Sequence, residues 1–400
     1  MSELEAFRAE TAAWLDENAP QSIRGLPASE VSGTWGGKRE VYPNPDTKLW
    51  LDVCAERGFT APTWPREYGG GGLSNPQAKV LGQEMGRLRL PPPLIGFGLT
   101  MIGPTLLRFG TEEQKREHLP RISRGEIRWC QGYSEPGSGS DLASLQTQAV
   151  REVDEFVIRG QKVWTSYADQ ADWIFALVRT DPKAKKQEGI TFLLIDMESS
   201  GVSVKPILLI SGKSPFCETY FDAVRVPVKN VVSEVNGGWT VAKALLGHER
   251  SMIADAFGGG GERVAKRSRF VEMAERYLGL DAMGRIDEPV LRNDVAQNEM
   301  DAKAFGLTVQ RTRDAARAGQ APGPESSMFK IYGTELNMRR HEIFVRMMGP
   351  QATGWEGPGY GADELELTKD WLRTRGNSIE GGTSEIQLNI IAKRALGLPD

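Results

Sequence analysis

Residues 155–180 read EFVIRGQKVWTSYADQADWIFALVRT, and the fold turns on them. EFVIRG, KVWTS and DWIFALVRT are short runs rich in β-branched and aromatic residues, the composition of strands. GITFLLID (189–196), VSVKPI (202–207) and ETYFDAVRVP (218–227) continue the pattern, with turn residues between them at regular spacing. Pro182, Pro206, Pro215 and Pro227 fall at the edges or ends of these runs, where a missing N–H does least harm. The stretch is expected to build a compact β-barrel or sandwich.

The sequence on either side has a different period. Leu4, Phe7, Thr11, Trp14 and Leu15 recur at helix spacing, with Ser2 and Glu5 as a capping box. APTWPREYGGGGLSNPQ (61–77) is a loop. NPQAKVLGQEMGRL and TMIGPTLLRFGTEEQKREHLPRISRG read as helices broken at their prolines and glycines. Helical patterning returns at about residue 238 with WTVAKALLGHERSMIADAFGGG and runs to the C-terminus, with breaks at 322–327 and 349–364. The expected fold class is α+β: a helical N-terminal domain (1–125), a central β-domain (126–237) and a C-terminal helical domain (238–400).

Composition narrows the function. A chain of 400 residues with 26 % charged and 40 % hydrophobic residues is an ordinary globular protein with room for a large core. A net charge of −4 and no long basic run argue against nucleic acid. Cys54, Cys130 and Cys217 are widely spaced, giving neither a zinc ribbon nor a disulfide framework, and three histidines do not favour a metal site. The acidic, amphipathic N-terminus is neither a signal nor a transit peptide, and no apolar run reaches membrane-spanning length. The cytoplasm is the expected location.

Three stretches carry candidate chemistry. WCQGYSEPGSGSDLASLQTQA (129–149) alternates Gly, Ser and Pro at a strand end, which lets backbone N–H groups and hydroxyls approach a polar ligand. It is not a dinucleotide fingerprint, and no βαβ unit surrounds it. Trp164 stands beside Thr165 and Ser166; a strand tryptophan reads first as core, but with hydroxyls alongside it also suits a planar cofactor. SIEGGTSEIQLNIIAKRALGLP (378–399) reads as a helix start behind two glycines, with Ser384 and Gln387 as a capping box; such an N-terminus suits an anion or a carbonyl.

Taken together, GYSEPGSGSD (132–141), GQKVWTSYADQADW (160–173), LLGHERS (245–251) and EGGTSEIQLNIIAKRALGLP (380–399) resemble the acyl-CoA dehydrogenase family of flavoproteins. REYGGGGLS (66–74), FGTEEQKREHLP (109–120) and FDAVRVP (221–227) fit the same family, in the same order. The resemblance implies a C-terminal four-helix domain and FAD held between it and the β-domain, with a neighbouring subunit completing the site. It implies α,β-dehydrogenation of an acyl-CoA to the trans-2-enoyl-CoA, with electrons passed to an electron-transfer flavoprotein. The assembly implied is a homotetramer or homodimer, or a heterotetramer. By resemblance, Tyr133 and Ser134 lie along the flavin ring, Trp164 packs beside it, and Ser166 sits near its N5 or O4. Ser140 faces the CoA pantetheine or phosphate. Arg346 and Gly349, in VRMMGP, match the stretch that contacts the partner subunit's FAD, although the family usually has Gln and a glycine pair there. The usual pyrophosphate arginine motif is not visible near 276–286; Arg285 and Arg292 are the available replacements. RLPPPLIGFGLTMIGP (89–104) shapes the acyl pocket.

An α-proton is weakly acidic, so a positioned base and an oxyanion site are needed. Many family members place a glutamate immediately before the C-terminal Gly-Thr; here that position is Gly381. A second subgroup uses the glutamate of a Glu-Arg pair, which is Glu249 with Arg250 in this chain. Glu249 is the expected base, with Arg250 and the Gly381 N–H serving the substrate. Glu380 is the alternative base, and Glu385 is a helix-start residue. An oxidase or monooxygenase on the same scaffold, or a silent subunit of a heteromer, remain the competing functions.

Overall fold

A computed structural model describes residues 2–25, 33–42, 44–246, 268–318, 323 and 326–399. The chain forms two compact units: Met1–Ile207 with Pro215–Leu245, and Leu208–Ser214 with Leu246–Asp400. The order of helices, then strands, then helices is the expected one. No helix among the described residues is long and apolar enough to cross a membrane.

In the first unit, helix α1 (Glu3–Asn18) starts at the Ser2–Glu5 capping box and buries Thr11 and Leu15. Asn44 caps α2 (Pro45–Glu56), and a Ser74–Gln77 box caps α3 (Asn75–Arg87). A π-helical turn, Gly98–Ile102, leads directly into α4 (Gly103–Phe109). Helix α5 (Glu112–Ser123) begins at a Thr111–Gln114 box. It does not break at Pro120, as the sequence led one to expect, but runs on through that proline to Ser123, since proline withholds one N–H while its carbonyl can still accept. There the Pro120 carbonyl still receives the Arg124 N–H (3.1 Å) and the Ser123 hydroxyl (3.0 Å).

Seven strands form one mixed sheet: β1 (Trp129–Gly132), β2 (Gln148–Glu152), β3 (Glu155–Ser166), β4 (Trp173–Arg179), β5 (Ile190–Asp196), β6 (Val202–Ile207) and β7 (Phe216–Pro227). Their order is β1-β4-β2-β3-β7-β6, with β5 also on β4. EFVIRG and KVWTS join into the single long strand β3, and β1 and β2 flank the Gly/Ser loop. Strands β4 and β5 are buried on both faces, which is why their sequences are continuous apolar runs rather than alternating ones. Phe175 and Phe192 stack between them at 5.9 Å. Helix α5 closes on the sheet through His118, whose ring meets Trp129 at 5.3 Å and Trp173 at 4.8 Å, both edge-on. Gln114 of the same helix donates to the Lys229 and Val231 carbonyls at 2.7 and 2.8 Å.

The loop between β1 and β2 is held down by two buried cations. Lys162 of β3 is fully buried; its ammonium donates to Glu135 Oε1 at 2.7 Å and to the Tyr133 carbonyl at 3.2 Å. Glu135 also accepts the Gln146 and Thr147 N–H groups at 2.6 and 3.0 Å. Arg179, at the end of β4, donates to the carbonyls of Ala143 (2.6 Å) and Leu145 (3.3 Å). Burial draws the Lys162 ammonium below its ordinary value, against the pull of Glu135. Burial pushes the Glu135 carboxyl up, but Lys162, Thr147 and Gln146 outweigh it and leave it below its ordinary value.

After helix α6, described over residues 238–246, the second unit contains α7 (Arg269–Tyr277), α8 (Pro289–Arg317), α9 (Ser326–Met348), α10 (Ala362–Thr374) and α11 (Ser384–Ile390). Phe270, Ile343, Phe344, Met347 and Leu367 form one core; Phe305, Val309, Phe329 and Leu336 form another.

Lys162→Met strands a buried carboxylate, so it should cost about 3–5 kcal/mol in a urea titration. The double change Lys162→Met, Glu135→Gln should recover much of that loss; no recovery would place the cost in packing instead. Burial also lowers the His118 imidazole to about 4 from 6.5. The unfolded chain therefore takes up the proton first, so this contribution is complete above pH 6.5 and lost as pH falls towards 4. His118→Gln should flatten the stability–pH curve over that window, by up to about 3 kcal/mol.

Candidate active site

The Gly/Ser loop ends against β3 at a distortion. The Val163 N–H donates to the Ser134 carbonyl at 2.9 Å, and immediately afterwards the β3–β7 register shifts between Lys162 and Thr165. This bulge carries Trp164 at φ +61°. A bulky residue in the left-handed region costs on the order of 1–2 kcal/mol and marks a place where structure serves something besides stability. Trp164 is 54 % exposed, so it is not the core residue that a strand tryptophan first suggests. Its ring meets Phe216 edge-on at 6.1 Å, leaving a flat apolar plate on the surface of the unit.

The loop that meets β3 here carries hydroxyls, and another follows Trp164 on the strand. Ser134 and Ser166 are half-buried and Ser140 is exposed. Ser138 is buried, and its hydroxyl has no partner among the described residues. Glu135 and Ser138 exchange two backbone hydrogen bonds of 3.0 Å, which closes a tight turn over Pro136 and Gly137. A Cβ at Gly137 or Gly139 would meet nothing within 4 Å, so the space over the turn is open. Tyr133 points the other way: its ring is buried edge-on to Phe175 (6.1 Å) and Phe192 (6.4 Å), so it offers a ligand backbone rather than ring. An exposed indole, flanking hydroxyls and an open glycine turn suit a planar aromatic cofactor with polar edges.

In the second unit the C-terminal motif forms a left-handed turn. Gly381 and Gly382 have φ of +65° and +88°, and a Cβ on Gly382 would stand 2.5 Å from Gln387 Nε2. The cap that follows is Thr383, whose hydroxyl accepts the Ile386 N–H at 3.2 Å. This corrects the expected Ser384–Gln387 box: Gln387 turns back instead and donates to the Gly381 carbonyl at 3.2 Å. Glu380 is fully engaged. Arg373 Nη2 lies 2.6 Å from one oxygen, and Asn377 Nδ2 donates to the other. Asn377 in turn accepts from Asn337 at 2.9 Å.

Arg346 is paired with Asp294 at 2.6 Å, and Gly349 follows the end of α9 at φ +56°. Arg285 pairs with Asp281 at 2.7 Å, and Arg292 donates to the Ile286 carbonyl at 2.8 Å. Glu249 and Arg250 lie outside the described residues. Ser134, Ser140, Trp164 and Ser166 thus belong to one unit, and Arg346, Gly349 and Gly381 to the other. Sequence reading missed Lys162, Glu135 and Arg179. A lysine amid a strand and a glutamate in a glycine loop were the signals for the pair.

The chain matches the family descriptions "Acyl-CoA dehydrogenase, N-terminal domain" over residues 2–126, "middle domain" over 130–224 and "C-terminal domain" over 236–396. It is 35 % identical over 402 residues to "Acyl-CoA dehydrogenase IpdE1" of Mycobacterium tuberculosis, covering 100 % of this chain and 99 % of that one. Against "Acyl-CoA dehydrogenase FadE26" of the same organism it is 34 % identical, over 93 % and 91 % of the two chains. Among solved structures it is similar to the "Tcur3481-Tcur3483 steroid ACAD", with a TM-score of 0.75 and 33 % identity over 99 % and 97 % of the chains. It is also similar to a chain of the ChsE4-ChsE5 complex from Mycobacterium tuberculosis, with a TM-score of 0.71 and 30 % identity over 100 % and 98 %. The chain belongs to the acyl-CoA dehydrogenase family, FAD-dependent oxidoreductases that act on CH–CH bonds.

Proposed function

We propose that the protein catalyses α,β-dehydrogenation of an acyl-CoA thioester, with Glu249 as the base that removes the α-proton. The observation that carries the base assignment is the state of the other candidates. Position 381 is glycine, and Glu380 is held by Arg373 on one carboxylate oxygen and Asn377 on the other, contacts that a substrate proton would have to compete with. The Gly381 N–H is the proposed donor to the thioester oxygen, where it stabilises the enolate that develops as the proton leaves. Arg250 is proposed to hold the substrate beside it.

Trp164, Ser134 and Ser166 are proposed to hold the flavin ring, Ser140 to face the CoA or cofactor phosphates, and Arg346 with Gly349 to touch a neighbour's FAD. FAD, when bound, supplies the hydride acceptor. The protein's part is to align the substrate, donate to its carbonyl and keep water from the α-carbon. Electron-transfer flavoprotein is the proposed oxidant of the reduced enzyme, and the cytoplasm the proposed location. A bulky, ring-bearing acyl group is the proposed substrate class, supported by the likeness to a steroid ACAD and by the glycine- and proline-rich 89–104 segment.

A second reading concerns assembly. Two of the similar structures are two-component complexes by their printed descriptions, and Arg346 departs from the family's usual residue. A heteromer with a related chain therefore stands beside a homotetramer or homodimer. Light scattering of the protein expressed alone, and with candidate partners, separates these.

Anaerobic titration of the purified protein with acyl-CoAs tests the reaction. Flavin absorbance should bleach in the wild type, and Glu249→Gln should slow bleaching by about 10²–10⁴-fold. Glu380→Gln should keep bleaching within about threefold while losing about 1–3 kcal/mol of stability; the reverse ranking would sink Glu249. Trp164→Ala should weaken FAD binding at least about tenfold, read by fluorescence of released flavin. It should change apoprotein stability by less than about 1 kcal/mol, because the ring is exposed.

A further inference from the structure

The floor of the first unit holds donors that the proposed reaction does not use. Arg128, just before β1, is 6 % exposed. Its guanidinium lies against Trp35 at 4.6 Å and Tyr167 at 5.0 Å, two rings that themselves meet at 5.1 Å. Its backbone is fixed: the N–H donates to Asp172 Oδ2 at 2.8 Å, and the carbonyl accepts the Asp172 and Trp173 N–H groups at 2.9 and 3.1 Å. Nη1 donates to Gln170 at 2.8 Å, but Nε is buried with no partner among the described residues. The same holds for Nε1 of the adjacent Trp129. Two neighbouring residues therefore each bury an unsatisfied N–H, an arrangement that native interiors avoid unless an acceptor arrives.

Both residues line one small cavity of about 10 Å³. That is room for a single water or oxygen atom and no more. The rest of its wall is Trp35, the 94–99 segment, Ile122 and Ile127. Residues 94–99 belong to the stretch expected, on the acyl-CoA dehydrogenase reading, to shape the acyl pocket; on that reading the cavity lies against the pocket's wall. The one cation there already faces two carboxylates. Glu40 lies 3.8 Å from Arg128 Nη1, and the Asp172 carboxylate takes backbone donors beside it. A further carboxylate would be repelled, whereas a neutral oxygen would be welcome.

We infer that Arg128 and Trp129 form an oxygen-acceptor subsite at the closed end of the acyl pocket, which selects acyl groups bearing a neutral keto oxygen far from the thioester. The inference rests on the acyl-CoA dehydrogenase reading and names the substrate's distal chemistry.

The test uses holoprotein and CoA thioesters of graded length in three forms: plain, with a keto group at the distal end, and with a terminal carboxylate. Affinity is measured by calorimetry, and reaction by anaerobic flavin bleaching. At one length the keto form should bind about tenfold to a hundredfold more tightly than the plain form. Arg128→Leu should abolish that preference, and Trp129→Phe, which keeps a ring but removes the donor, should reduce it. Equal affinities for plain and keto forms at every length would mean that only water fills the cavity, and would overturn the subsite. So would a preference for the carboxylate, or a keto preference that survives both substitutions. Because affinity is read separately, keto-selective binding without bleaching would uphold the subsite while sinking the dehydrogenase reading.

Discussion

A single buried ion pair sets the geometry of the sheet unit. Lys162 sits in the middle of β3 with no exposed surface, and its ammonium reaches across to Glu135 in the loop that follows β1. Neither charge is tolerable alone in that interior, so each requires the other to be where it is. The constraint is geometric as much as energetic. Glu135 also gathers the Gln146 and Thr147 amides, so one carboxylate fixes both ends of the Gly/Ser loop. Ser134 then lies where its carbonyl can take the Val163 N–H, one residue before the bulge that turns Trp164 outward. The Gly/Ser loop and the bulge that carries the indole are thus tied together beside a buried lysine two residues from Trp164.

The α+β order was legible because periodicity changes sharply at both ends of the sheet. Continuous apolar runs such as DWIFALVRT could not alternate, since β4 is covered on both sides. The N-terminal caps were legible for a similar reason: Ser2 and Glu5 act over three residues, and nothing distant competes. The Ser384–Gln387 box failed because the Gly-Gly turn brings the Gly381 carbonyl within reach of Gln387, a tertiary competitor that no local rule contains. Pro120 failed in the opposite direction: the helix carries it three residues before its end, with its carbonyl still accepting two hydrogen bonds.

The site was legible only in part. Ser134, Ser140, Trp164 and Ser166 were singled out from the loop, the strand and the resemblance, and the first unit carries all four. The exposure of Trp164 was not legible, because a β-bulge depends on the partner strand's register and leaves no local mark. Glu135, Lys162 and Arg179 were missed because a buried charge looks, in sequence, like any surface charge. The engagement of Glu380 was missed for the same reason: Arg373 and Asn377 are unremarkable until the backbone brings them to it.

The left-handed turn at Gly381 also constrains how this sequence can change. A glutamate there would have to adopt φ +65°, a conformation that glycine enters freely and a glutamate only under strain. With the base proposed elsewhere in the chain, position 381 can be the residue that its turn suits. Gly382 adds to this, because its φ of +88° is left-handed as well and Gln387 Nε2 stands where its side chain would go. A carboxylate at 381 would therefore need a changed turn as well as a changed residue, so the two placements of the base are not one substitution apart.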